Sequence, residues 1–304
     1  MEAGIVGLPF IGKTSLFNAL TALGVGRDAG ASAAKPNVGV VNIPDPRLDV
    51  IQRYVKTKKV VSATMQLVDV AGLVSGASKG EGLGNRFLGH VRGVGALLHV
   101  VRCFEDPNVP HVDGSVDPVR DIEEVETELM LADLEQVEGM MDKARKQART
   151  GVKEAKLRLS VIEACQAALA EGRSVSTLGG VLMESAAVQN VVKSISLLSA
   201  IPVLYVANVG EDDLEGESPN ALRVRRFAAA RGGTAVALCA KLEAELVELD
   251  ASERQEMREG MGLTEPALAV LARAAYGRLG MQSFFTAGPK EIRAWAIPNG
   301  ATAP

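Results

Sequence analysis

The segment Gly7-Leu8-Pro9-Phe10-Ile11-Gly12-Lys13-Thr14 constrains the fold more than any other stretch, because it has the pattern G-x-x-x-x-G-K-[ST]. The apolar pair Ile5-Val6 before it is typical of a strand, and the sequence from Ser15 to Leu20 is typical of a helix. Glycines at both ends allow a tight turn, whose N–H groups converge on an anion at the helix N-terminus. We therefore predict a phosphate-binding loop that includes Ser15. In such a loop Lys13 reaches the β- and γ-phosphates and the Thr14 hydroxyl binds Mg²⁺.

Composition indicates an ordinary globular chain. The 304 residues suffice for roughly two domains. A net charge of -4 gives no bulk attraction to nucleic acid or to an anionic membrane, so such a contact must be local. Cys103, Cys165 and Cys239 are widely spaced and predict reduced thiols, with Cys103 in the core. Strand-like sequence near Met1 and the lack of a long apolar run predict a cytoplasmic protein without a signal peptide or a membrane partner.

Strand and helix patterns alternate along most of the chain, which predicts the α/β class with a mainly parallel sheet. The predicted strands are Gly4–Val6, Val38–Ile43, Thr64–Val68, Ala96–Arg102, Pro202–Ala207 and Ala235–Cys239. A helical block interrupts this alternation, and its predicted helices are 121–148, 153–171 and 188–198, with a further helix at 221–231 after it. We interpret the first two helices as a hairpin inserted into a single P-loop domain.

The predicted hairpin is polarised in charge. Acidic residues occupy its base, and its tip carries Lys143, Arg145, Lys146, Arg149 and Lys153. A solvated helix face with a basic turn explains this pattern, and so does a local surface for RNA phosphates. The sequence leaves both interpretations open.

Two further segments complete a nucleotide site. In Asp69-Val70-Ala71-Gly72 the carboxylate would hold Mg²⁺, and the Gly72 N–H would sense the γ-phosphate. GTPases carry Asn-Lys-x-Asp after a later strand, where this chain has Asn208-Val209-Gly210-Glu211. The change from Asp to Glu211 argues against guanine specificity. Cys239-Ala240-Lys241 resembles the Ser-Ala-Lys element that supports a base through backbone groups.

Together these segments resemble the YchF family of Obg-like ATPases, within the translation-factor-related GTPases. Further shared segments are Pro36-Asn37-Val38-Gly39-Val40, Pro44-Asp45-Pro46-Arg47-Leu48, 76–85 and Val100-Val101-Arg102-Cys103-Phe104-Glu105-Asp106. The resemblance implies that ATP is preferred over GTP, and that a catalytic histidine on a mobile loop matches His111. His90 and His99 match no such role, and we expect them to be structural. It also implies ribosome association and three domains: a G domain (1–119 and 199–280), a coiled-coil insert (120–198) and a TGS domain (281–304).

The chain departs from the family pattern at three places. Phe10 stands where the family usually has an Asn that coordinates K⁺, and a phenyl ring has no oxygen for this, which argues against K⁺ stimulation. The stretch 29–35 replaces the usual first switch, with Ala33 at the position of the Mg²⁺-binding Thr and Ser32 beside it. The segment Phe285–Trp295 opens a TGS domain that the chain does not complete, so we expect the strand Glu291–Ile297 to be an unpaired edge.

These features predict a slow ATPase that acts as a nucleotide switch linked to the ribosome, to translation or to a stress response. Mg²⁺ is its expected cofactor, and Lys13, Gly72 and His111 are its expected catalytic groups. Two alternatives remain open. One is a nucleotide-binding docking module with little hydrolysis, and the other is a GTPase of the same fold.

Overall fold

A computed structural model describes residues 2–22, 37–69, 89, 91–179 and 185–302. The described residues form two compact units. The first takes its residues from 1–72, 95–119 and 203–304, and the second takes its residues from 73–94 and 120–202.

A six-stranded sheet forms the centre of the first unit. Its strands are β1 (Glu2–Val6), β2 (Asn37–Ile43), β4 (Ala63–Asp69), β5 (Ala96–Arg102), β6 (Val203–Asn208) and β7 (Ala235–Leu238). Their order across the sheet is β2-β4-β1-β5-β6-β7, and every neighbouring pair is parallel except β2 with β4. The predicted strands and the mainly parallel sheet are therefore confirmed. Parallel strands end at the same edge, so β1, β4, β5 and β6 deliver the loops that follow them to one place.

The first unit also contains six described helices, and capping residues and proline mark the starts of some of them. They are α1 (Lys13–Ala22), α2 (Pro46–Tyr54), α6 (Pro219–Ala230), α7 (Ala240–Glu248), α8 (Ala251–Gly260) and α9 (Ala267–Arg278). The Asp45 side chain accepts the Arg47 N–H and Pro46 follows it, so α2 has both a cap and a favoured first residue. In α8, Asp250 and Glu253 form a reciprocal capping box.

A second, three-stranded sheet corrects one expectation. Its strands are β3 (Val60–Val61), β8 (Met281–Ala287) and β9 (Ile292–Pro298), in the order β3-β9-β8. The expectation that the strand near 291–297 is an unpaired edge is wrong. β9 is the central strand, antiparallel to β8 and parallel to β3. The expectation failed because it left out β8, the neighbouring strand of seven residues, and β3, a two-residue strand from a distant part of the chain that no periodic pattern reveals.

The second unit is helical. Its helices are α3 (Pro118–Ala148), which begins two residues before the unit, α4 (Lys153–Ala170) and α5 (Ala186–Ile195), with 3-10 turns at Val175–Leu178 and Leu198–Ala200. Apolar residues of α3 and α4 share one buried cluster that includes Val137, Met141, Ile162 and Cys165. A short turn with Gly151 at φ 84 joins the two helices, so the predicted hairpin is confirmed. The third helix ends earlier than predicted, because Ser196 adopts a left-handed conformation with φ 56.

No helix in the described part of the chain is both long and apolar enough to cross a bilayer.

Candidate nucleotide-binding site

The phosphate loop connects β1 to α1 and depends on two glycines. Gly7 has φ 143 and Gly12 has φ 92, in a region that side chains rarely adopt. A Cβ on Gly7 would lie 2.5 Å from the carbonyl oxygen of Val100, and one on Gly12 would lie 2.5 Å from Asn208 Nδ2. The Leu16 N–H donates to the Gly12 carbonyl at 3.0 Å and closes the first turn of α1. Close packing and backbone conformation therefore both require glycine at the two positions.

Phe10 is the exception within this loop. It has φ 61, the left-handed region that favours glycine and tolerates asparagine, and its side chain is 65% exposed. Leu8 and Ile11 on either side are buried, at 3% and 2% exposed. The loop therefore presents a phenyl ring to solvent on a backbone position that disfavours phenylalanine.

Lys13 is the buried cation of the site. It begins α1, is 8% exposed, and its ammonium donates to the carbonyl oxygen of Leu8. Burial lowers the pKa of Lys13 from 10.5 to about 8, and the negative charge of Asp69 opposes this shift. The cation is thus held inside the loop although much of its hydration has been removed.

Asp69 ends β4 and is paired with Ile5 of β1. Ile5 lies two residues before the phosphate loop. Burial raises the pKa of the Asp69 carboxyl, while a hydrogen bond from the Asn37 side chain and the charge of Lys13 both lower it. Because β4 is paired with β1, Asp69 lies at the sheet edge from which the phosphate loop leaves. Thr14 and Ser15 are exposed in the first turn of α1. A carboxylate and a hydroxyl are hard oxygen ligands of the kind that Mg²⁺ prefers.

Asn208 joins the phosphate loop to the predicted base-binding segments. Its side chain is 4% exposed, Nδ2 donates to the carbonyl oxygen of Ile11 at 2.8 Å, and Oδ1 accepts the Ala240 N–H at 2.9 Å. The structure therefore places Asn208 and Ala240 together, in contact with the loop. Both hydrogen-bonding ends of the carboxamide are already used within the protein.

The other residues predicted to contact the base differ in exposure. Val209 and Cys239 are 1% and 5% exposed, and the Val209 N–H donates to the carbonyl oxygen of Leu238 at 3.0 Å. Glu211 is exposed, and its carboxylate pairs with the Lys241 ammonium at 2.7 Å. Glu211 is thus the polar group of this set that faces solvent.

His111 lies in the loop that follows β5, half-buried, and its Nδ1 accepts the Asp113 N–H at 3.1 Å. This loop leaves the sheet from the same edge as the phosphate loop, because β5 runs parallel to β1. Gly72, the glycine-rich stretch that follows it, the predicted first switch at 29–35 and His90 lie outside the described residues.

Sequence reasoning missed Arg102, which is 2% exposed and donates to four main-chain carbonyl oxygens of the loop before His111. The available signal was an arginine that closes an otherwise apolar strand. Two expectations about neighbouring residues are confirmed. Cys103 is buried in the core. His99 is also buried, its ring lies 5.7 Å from that of Tyr205, and burial lowers its pKa to about 3.

The hairpin tip remains open to either interpretation. Its basic side chains are all exposed, and they are Lys143, Arg145, Lys146, Arg149 and Lys153. This exposure fits both a solvated face and a surface for phosphates.

The chain is similar to known proteins along its whole length. A family model described as a 50S ribosome-binding GTPase matches residues 2–136. The ribosome-binding ATPase YchF of Escherichia coli O157:H7 is 47% identical over 304 residues, which are 100% of this chain and 82% of that protein. The same-named protein of Bacillus subtilis (strain 168) is 41% identical over 313 residues, covering 100% and 83%. The solved structure of the Schizosaccharomyces pombe YchF GTPase aligns with a TM-score of 0.81 at 31% identity, over 100% of this chain and 82% of that one. With relatives this similar along its whole length, the chain belongs to the YchF family.

Proposed function

We propose that this chain binds ATP with Mg²⁺ at the loop Gly7–Ser15 and hydrolyses it slowly, as a nucleotide-dependent switch that acts at the ribosome. The observation that carries the proposal is the buried ammonium of Lys13 at the start of α1, with Asp69 at the end of β4, the strand that neighbours β1. Removing a cation from water is unfavourable unless an anion replaces the lost hydration. The phosphates of a nucleotide at this helix N-terminus would supply that charge. The names of the relatives, ribosome-binding ATPases, support the same function.

The chemistry follows from these positions. The N–H groups of the loop and Lys13 would neutralise the charge that develops on the transferred phosphoryl group, with water as the nucleophile. Thr14 and Asp69 would hold Mg²⁺, which would neutralise part of the negative charge of the phosphates. We assign His111 and the Gly72 N–H to the γ-phosphate end of the site on family resemblance. The loop of His111 leaves the sheet edge where the phosphate loop begins, which supports that assignment.

The base preference rests on Glu211. Adenine offers an exocyclic amino group, for which the exposed Glu211 carboxylate is a suitable acceptor. Val209, Cys239 and Ala240 would contribute shape and backbone groups, because their side chains are buried. Asn208 would act indirectly by fixing Ala240 relative to the phosphate loop. We therefore propose that ATP binds more tightly than GTP.

A single-turnover assay tests hydrolysis directly. The protein is held in excess over γ-labelled ATP, and released phosphate is measured with and without Mg²⁺, K⁺ and ribosomes. We expect slow release that requires Mg²⁺, is independent of K⁺, and is abolished in Lys13→Met. Tight ATP binding without phosphate release under every condition would contradict the enzymatic function.

That contrary outcome would favour the docking module, and one observation speaks for it. Phe10 occupies the phosphate loop on a left-handed backbone position and supplies no oxygen for a monovalent cation. Phosphoryl transfer depends on positioning, so the loss of one ligand can slow the chemistry by about 100-fold while binding persists. The assay separates the two functions because it measures binding and release on the same sample.

Ribosome contact is proposed through the exposed basic tip of the hairpin. Replacing Arg145, Lys146 and Arg149 by Glu should weaken binding to purified ribosomes about tenfold or more and flatten its salt dependence. The matched control replaces Arg53, Lys56 and Lys58 by Glu, since these are also exposed and the change in net charge is identical. Equal losses in both triple variants would show that the tip is not a specific contact.

A further inference from the structure

Arg102 closes β5 and carries one of the largest fully buried side chains of the described chain. Its guanidinium donates to four carbonyl oxygens. Nε reaches Phe104 at 3.1 Å, Nη2 reaches Asp106 at 3.2 Å, and Nη1 reaches Val109 and Pro110 at 3.0 and 3.2 Å. The guanidinium also lies over the Phe104 ring, 4.6 Å from its centroid. One side chain therefore holds a loop of consecutive residues from the inside.

This arrangement is specific to arginine. A buried cation is unfavourable unless its donors are satisfied, and here the guanidinium donates to four main-chain carbonyls of the same loop. The planar fork of arginine can bond carbonyls on several sides at once, whereas lysine is a compact point charge with three donors. The loop and the guanidinium consequently stabilise each other. Without the fork, the carbonyls would have to turn toward water.

The loop held in this way leads directly to His111. Arg102 donates to the carbonyl oxygen of Pro110, the residue before His111. Two residues after His111, the Asp113 N–H donates to His111 Nδ1. With Nδ1 as an acceptor, the neutral imidazole carries its proton on Nε2. In the pairing of β5 with β6, Arg102 lies opposite Asn208. The N–H of the next residue, Cys103, donates to the Asn208 carbonyl oxygen at 2.8 Å. Arg102 and Asn208 thus end two neighbouring parallel strands, β5 and β6.

We propose that Arg102 is a positioning residue, which shapes the loop 104–110 from within so that His111 is oriented before nucleotide binds. The inference rests on the proposed ATP hydrolysis and on a role for His111 in it. If it is right, any movement of His111 during the reaction must either pivot after Pro110 or break the bonds to Arg102.

The test combines hydrogen exchange with a double-mutant cycle. In Arg102→Lys, the amides of 104–111 should exchange about tenfold faster while those of 7–15 stay unchanged. Hydrolysis in single turnover should slow about tenfold with the affinity for a fluorescent adenine nucleotide unchanged. In a His111→Ala background the same substitution should have no further effect, because both changes act through one group. Arg278→Lys is the matched control, since Arg278 donates to the Val203 carbonyl in another part of the unit.

Each arm can overturn the inference separately from the proposed function. Unchanged exchange at 104–111 in Arg102→Lys means that the fork does not hold the loop, whatever the enzyme does. An equal slowing in the presence and absence of His111 means that Arg102 acts elsewhere. If Arg102→Lys does not fold, Phe104→Leu keeps the arginine and removes the ring beneath it. The exchange of 106–110 should then rise about threefold, and no rise overturns the inference. Absence of hydrolysis in the unmodified protein would count against the proposed function, and the exchange measurement would still decide the anchor.

Discussion

The Asn208 carboxamide donates from Nδ2 to the carbonyl oxygen of Ile11 at 2.8 Å, and so fastens the end of β6 to the phosphate loop. Its Oδ1 accepts the Ala240 N–H at 2.9 Å, so one side chain holds together three segments of the candidate site. The side chain is 4% exposed, and water cannot easily replace either bond.

Asn208→Ala should therefore weaken both the fold and the site. It leaves a buried carbonyl and a buried N–H unpaired, and we expect the free energy of unfolding to fall by about 3 kcal/mol. The affinity for ATP should fall about tenfold or more, because the loop and the Ala240 turn are no longer held together. Urea unfolding and nucleotide titration measure the two effects. Asn18→Ala, at an exposed position of α1, is the control and should change stability by less than about 0.5 kcal/mol.

The Lys13 pKa of about 8 predicts a pH dependence of nucleotide binding. Above that value the free protein loses the charge that phosphates need, so ATP affinity should fall about tenfold for each further pH unit. Binding near pH 8 should take up roughly half a proton, which calorimetry in buffers of different ionisation enthalpy detects. Lys13→Met should bind weakly and show neither effect. Proton uptake that persists in this variant would assign the titration to another group.

The same shift has a consequence for stability, with the sign set by the lowered pKa. Between about pH 8 and the ordinary value of 10.5 the unfolded chain binds more protons at Lys13 than the folded one. Lys13 therefore makes the free protein more stable as pH rises through that window. Saturating nucleotide should reduce this rise in stability with pH, because the bound phosphates favour the protonated form of Lys13 in the folded state. A thermal melt series with and without nucleotide measures it.

Phe10→Asn should change both strain and cation dependence. Asparagine tolerates the left-handed conformation at φ 61 better than phenylalanine, so we expect a gain in stability of about 0.5–1 kcal/mol. The new amide oxygen should also make single-turnover hydrolysis sensitive to K⁺, as the family resemblance implies. Phe10→Leu has no such oxygen and serves as the control. Hydrolysis that ignores K⁺ in Phe10→Asn would show that this position does not decide cation dependence.

Asp133 organises the helical unit in a comparable way. It is fully buried, its two oxygens accept the Leu198 and Ser199 N–H groups at 2.8 and 2.7 Å, and Arg92 lies 3.3 Å away. Asp133→Ala leaves the N–H groups of Leu198 and Ser199 without their acceptor and removes the carboxylate that pairs with Arg92, and should lower the free energy of unfolding of this unit by about 3 kcal/mol. Asp142→Ala changes an exposed carboxylate of the same helix and should be nearly neutral. Equal losses would mean that the loss comes from α3 itself.

The sequence predicts this molecule best where local patterns carry the information. The glycine–lysine pattern locates the loop, and apolar runs locate the strands of the six-stranded sheet. β3 escapes because two valines form no pattern, and so the central place of β9 could not be foreseen. Arg102 and Asn208 show a second limit. Both side chains bond to main-chain carbonyl and N–H groups. Such groups occur along the whole chain, so the types of the neighbouring residues do not reveal which of them are the partners. The predicted domain limits and base contacts remain predictions.

The most direct test is competition of ATP and GTP for a bound fluorescent adenine nucleotide, in the unmodified protein and in Lys13→Met. ATP should displace the probe from the unmodified protein about tenfold more effectively than GTP, which is the value of one good hydrogen bond from the adenine amino group to Glu211. Lys13→Met should bind the probe weakly. Equal or tighter binding of GTP would contradict an adenine-specific site, and unchanged binding in Lys13→Met would contradict the phosphate loop as its location.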